Sequence, residues 1–107
     1  MKVLIEGHRY ELENFENKSE SGQQLQFIQK EPSKSTGTEP GLLETINDGT
    51  TNEEVLSMTI DRMKYLQGKF PCKENACCIT HLEEALMWLE KRTNDRNKRG
   101  VEGKHIA

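Results

Sequence analysis

The chain has 107 residues, 33% of them hydrophobic and 31% charged, with a formal net charge of −3 at pH 7. That length suits one domain with a thin core, so oligomerisation is a natural source of further burial. No apolar run approaches the roughly 18 residues of a membrane span, and the charged start (Lys2, Glu6) leaves no room for a signal-peptide core. Near-balanced charge gives no case for a membrane surface or a nucleic-acid polymer as partner.

In chain order, Val3, Leu4 and Ile5, then residues 10–15 with Tyr10 and Leu12 two apart, predict a β-hairpin around Gly7 and His8. Residues 24–29 alternate well enough for a third strand, so residues 1–31 form a small antiparallel sheet of about three strands. Residues 32–50 are rich in Pro, Gly, Ser and Thr and are expected to be a loop, anchored by Leu42, Leu43 and Ile46.

Thr51 followed by Glu54 has the S/T-x-x-E spacing of a capping box and opens a helix. Leu56, Ile60, Met63 and Leu66 recur on one face of it, with Val55 and Thr59 beside them. Gly68 is the expected C-cap and Pro71 the stop. A second helix opens at Glu74 or Asn75 and runs to Arg99, with Cys78, Leu82, Ala85, Leu86 and Leu89 as its apolar stripe and Gly100 beyond its end. The short connection makes residues 51–99 an antiparallel helical hairpin, followed by a tail, 100–107. The fold class is therefore α+β, in a single domain over residues 1–107 that self-associates.

Charge is unevenly placed: residues 88–107 hold six basic and three acidic side chains in an otherwise acidic protein. Arg92, Arg96 and Arg99 fall at i, i+4 and i+7, where guanidinium groups on one helix face can fork onto phosphate oxygens. Cations at a helix C-terminus also complement the macrodipole, which is an equally good account of any single arginine. Tyr65, Phe70 and Trp88 are the aromatics of the hairpin. Tyr65 lies off the apolar stripe and is the best candidate to stack on a base. Phe70 beside Pro71 reads more readily as a loop anchor, and Trp88 as a core or interface residue. Asn75 suits either a helix cap or a base edge.

Other chemistry finds little support. Three cysteines, Cys77 and Cys78 adjacent, argue against a disulfide framework and for a reducing cytosol. Cys72, Cys77, Cys78, His81 and His105 do not reproduce zinc-ligand spacing, and Cys78 reads as a small buried hydrophobe. No Gly-rich phosphate loop, nucleophile elbow or metalloprotease motif is present. Binding without turnover, and with no cofactor, is the expectation.

The second half also carries a specific likeness. The runs are Gly49 to Leu56, Ile60-Asp61-Arg62, Glu74-Asn75-Ala76, Ile79 to Leu89 with its Leu-Glu-Glu-Ala-x-x-Trp segment, and Arg96 to Gly103. Together they resemble the phage sponge family that includes the Thoeris anti-defence proteins and, more remotely, an anti-CBASS protein. The resemblance implies sequestration of an intact cyclic ADP-ribose isomer, extending in some relatives to cyclic di- or trinucleotides, in the cytoplasm of the infected bacterial host. It implies a homodimer, or a trimer of dimers, with pockets where chains meet. By position it suggests Tyr65, with Phe70 as the alternative, as the stacking aromatic, Asn75 as a base contact, and Arg92, with Arg96 and Arg99, as phosphate ligands. The rival reading is a protein-interaction module whose hairpin docks a host protein.

Overall fold

A computed structural model describes residues 1–32 and 43–100. Leu42, most of the expected loop and the tail from residue 101, with Lys104 and His105, lie outside the described residues. The chain divides into two compact units, the strands up to Thr51 and the helices from Asn52.

In the first unit, β1 (Lys2–Ile5), β2 (Arg9–Leu12) and β3 (Gln23–Gln26) form the expected three-stranded antiparallel sheet in that order. A turn in which the His8 N–H donates to the Ile5 carbonyl at 2.9 Å, with Gly7 at φ 77°, joins the first two strands. Register sets Val3 against Tyr10 and Tyr10 against Leu25, so one face gathers the apolar side chains by the period-two rule. Tyr10 meets Phe27 edge to face at 5.9 Å.

The third strand is shorter than its alternation implied, because the chain changes partners at Phe27 and Ile28. The Phe27 N–H still donates to His8 in the first hairpin, at 2.7 Å, whereas the Ile28 N–H donates to the Thr50 carbonyl at 2.9 Å. Thr50 in turn donates to Gln26 at 2.9 Å. Gly49 permits this approach, since a Cβ there would collide with the Gln26 carbonyl. Beyond the switch, β4 (Gln29–Pro32) pairs antiparallel with β5 (Leu43–Asn47). The expected loop over 32–50 is thus corrected: Pro32 ends one strand and Leu43–Asn47 form another. Asn47 Nδ2 donates to Gln29 Oε1 at 2.9 Å and fixes the bulged end of that ladder, and Pro32 sits at its far end, where a missing N–H is tolerated.

The second unit is an antiparallel hairpin of α1 (Asn52–Lys69) and α2 (Lys73–Arg99). On α1 the predicted stripe holds: Ile60 is 8% exposed, and Leu56, Met63, Leu66, Val55 and Thr59 are half-buried. Gly68 is not the cap. It lies inside the helix, which ends one residue later where the Phe70 N–H still bonds Leu66.

On α2 the facing residues are Asn75, Ile79, Leu82, Leu86, Leu89, Thr93 and Arg96, an alternating four-three spacing that keeps one seam against α1. Cys78 and Ala85, expected in that stripe, are exposed on another side. Neither Glu74 nor Asn75 opens the helix. Cys72 caps it from extended backbone (φ −153°, ψ 161°), its Sγ accepting from the Asn75 N–H at 3.4 Å. At the far end Gly100 is the C-cap in the left-handed region, φ 70°, where its lack of a Cβ removes the strain.

Candidate functional site

The hairpin carries every residue singled out for binding, so its internal bracing decides where they stand. At the turn, Gln67 clamps both sides of the Cys72 peptide: its Nε2 donates to the Cys72 carbonyl at 3.1 Å and its Oε1 accepts from the Cys72 N–H at 3.0 Å. Beside the seam, the exposed Lys64 of α1 reaches Glu83 of α2 at 3.3 Å, a surface ion pair that bridges the two helices.

Tyr65 is on the outer side of α1 and 57% exposed, with the Lys69 ammonium 5.0 Å from its ring centroid. A cation over a phenol ring is a modest attraction at the surface, about 0.5 to 1 kcal/mol. It is weak enough for a purine to displace, and it leaves a positive charge at the edge of the stacking surface. Lys69 was missed in the sequence, although its i, i+4 spacing from Tyr65 is the signal that finds it. Phe70 is exposed just after α1, and Asn75 is half-buried in the first turn of α2.

The arginines separate. Arg92 is exposed, whereas Arg96 is 6% exposed and continues the inner seam, so the three do not form one solvent-facing row. The four-residue step that places two side chains near each other also turns by about 40°, enough at the edge of a stripe to put one in and one out. Arg99 is the last residue of α2. Trp88 is 63% exposed and so takes no part in the core of its own chain.

Distance now constrains any site built from this set. At 1.5 Å per residue, Asn75 and Arg92 stand about 25 Å apart along α2. Tyr65 and Phe70 sit at the turn end with Asn75, and the arginines at the open end, so one hairpin cannot close the two groups around one small ligand. Among the described residues, one groove on the hairpin, about 450 Å³, is lined by the apolar Ile60, Leu86 and Met87 and by Asp61, Glu83, Glu90 and Lys64. Three carboxylates against one ammonium, already paired, repel an anion there.

Among the described residues no cluster of three or more His, Cys, Asp or Glu has the arrangement to hold a metal ion, and no helix is long and apolar enough to cross a membrane.

Comparison with known proteins bears on the same segment. Residues 30–94 match the family described as Acb2/Tad1, hairpin domain. Thoeris anti-defense 1 of Bacillus phage SBSphiJ7 is 56% identical over 59 residues, covering 54% of this chain and 42% of that protein. The chain therefore spans less than half the length of this relative.

Proposed function

Because the chain belongs to the Acb2/Tad1 hairpin-domain family, we propose that it is a phage anti-defence sponge, which binds a cyclic ADP-ribose-type messenger intact and withholds it from the host's Thoeris or CBASS effector. The segment matched to the family holds Tyr65, Phe70, Asn75 and Arg92. The observation that carries the reading is that Tyr65 and Arg92 present an aromatic ring and a guanidinium to solvent rather than spending them on the hairpin's own packing. Tyr65 stacks on the base, Asn75 reads its edge, and Arg92 takes a phosphate through paired N–H donors, with Arg96 and Arg99 adding positive potential. Cyclic di- or trinucleotides present the same phosphate and base chemistry.

Holding a ligand at nanomolar affinity needs about 12 kcal/mol. Stacking supplies about 1 to 3 of this, and charge-assisted hydrogen bonds about 1.5 to 3 each, provided the pocket is preformed and enclosed. The 25 Å between the two groups then requires a second chain to bring them together. Sequestration asks for slow release and for protein in excess of the messenger, not for turnover, and it takes place in the cytoplasm of the infected bacterium.

Calorimetry with cyclic ADP-ribose isomers, and mass spectrometry of ligand released by heating, test this directly. Intact messenger is expected back. A new product after incubation means an enzyme instead, and no binding to any cyclic nucleotide leaves a hairpin that docks a host protein. Arg92→Ala is expected to weaken capture about ten-fold or more while helical circular dichroism stays unchanged.

A further inference from the structure

The connection between the helices runs over residues 70–72, and its backbone groups can be followed one at a time. Pro71 brings no N–H, and the Phe70 N–H still donates to the Leu66 carbonyl of α1 at 2.8 Å. Within α2, the Asn75 N–H goes to the Cys72 Sγ at 3.4 Å and the Ala76 N–H to the Cys72 carbonyl at 3.2 Å. The Cys72 N–H is left over, and Gln67 Oε1 takes it at 3.0 Å while Gln67 Nε2 donates to the Cys72 carbonyl at 3.1 Å.

Few side chains can serve both groups. A carboxylate of the same length accepts but does not donate, an ammonium donates but does not accept, and asparagine is one methylene shorter. A neutral amide with the reach of glutamine does both. The half-buried Met63 and Leu66 of α1 and Ile79 of α2 belong to the apolar seam, which is separate from this bridge. The seam keeps the helices side by side; the bridge fixes how the chain enters α2.

That entry lies between two of the candidate binding residues. Gln67 stands two residues past Tyr65 on α1, and Lys69, whose ammonium lies over the Tyr65 ring, is two further on. Across the connection, Asn75 is tied to Cys72 through its own N–H and is half-buried in the first turn of α2. A base stacked on one side chain and read at its edge by another tolerates little error between the two, because a hydrogen bond weakens steeply once its angle falls below about 120°.

We propose that Gln67 is a positioning residue for ligand capture: by holding the Cys72 peptide to α1 it sets the first turn of α2, and so Asn75, relative to Tyr65. The role rests on the sponge reading and deepens it, for Gln67 meets no ligand itself. Cys72 is exposed, so water takes over both bonds when the amide is removed, and the hairpin folds without it. What is lost is the alignment of the base contact.

Gln67→Leu removes both bonds at nearly constant volume. Amide hydrogen exchange followed by NMR should then show the Cys72 N–H exchanging about ten-fold faster, while helical circular dichroism matches the wild type. Calorimetry with the cyclic ADP-ribose isomers that the wild type captures should show affinity falling about five-fold to ten-fold. On an Asn75→Ala background the same change should cost less than about two-fold, since no contact is left to misalign. Gln67→Glu gives a second readout. At pH 7 the carboxylate it introduces cannot donate, and capture should be as poor as in Gln67→Leu. Near pH 4, where a glutamic acid side chain is about two-thirds protonated and both donates and accepts, affinity should return to within about two-fold of wild type at the same pH. Unchanged exchange at Cys72, unchanged capture, an equal loss on the Asn75→Ala background, or a Gln67→Glu deficit that ignores pH would each overturn the role. A wild type that binds none of the isomers would overturn the sponge reading and the role together, with exchange at Cys72 still reporting the bridge.

Discussion

Gly68 shows how a residue type can mislead when its conformation is not visible. A glycine three residues before a proline is the natural helix terminator, yet its backbone is helical and nothing lies within 4 Å of where its Cβ would be. It contributes only flexibility, and Gly68→Ala is expected to stabilise the hairpin by about 0.5 to 1 kcal/mol, read as a higher urea midpoint at unchanged slope. Cys72 is the converse case. Thiols are not among the preferred N-cap groups, so nothing in the sequence marked it, and the cap went to its more typical neighbours. The reciprocal bonds from Gln67 to the Cys72 peptide were equally invisible, because a glutamine five residues from its partner matches no local motif.

At the scale of elements, α1 was legible because its apolar residues make a single stripe. Ile60 is the most buried of them, and Ile60→Ala should cost about 2 to 3 kcal/mol in urea unfolding, whereas the outward-facing Met58→Ala should cost less than about 0.5. The second helix was read in outline but not in face. It carries two stripes, an inner one through Ile79, Leu82, Leu86 and Leu89 and an outer one through Trp88, and an apolar count merges them, assigning Cys78 and Ala85 to the wrong side. Arg96 was misplaced for a related reason: long cationic stems can lie along a helix seam, which hydropathy does not register. β5 was hidden because its Leu-Glu-Thr-Ile-Asn run is short and sits amid loop-like composition; its partner strand, rather than its own propensity, makes it a strand. The candidate site was legible as a set of residue types, while the separation of its aromatic and cationic parts followed only from the helix lengths.

For the molecule as a whole, burial and function press in the same direction. Among the described residues, Ile60 is the only buried hydrophobic side chain, while Met58, Tyr65, Phe70, Met87 and Trp88 all stand largely exposed on the hairpin. Covering such surfaces with another copy, as the proposed function requires, would add burial that one chain lacks, and mass action would then tie stability to concentration. The chain contains a single tryptophan, and it happens to mark the centre of the outer stripe of α2. Its fluorescence is therefore an unlabelled gauge of whether that stripe is wet or dry. Emission is expected to move to shorter wavelength as the protein is concentrated from nanomolar to micromolar and to return on dilution; a spectrum indifferent to concentration throughout that range would mean the indole stays hydrated and the stripe is never covered.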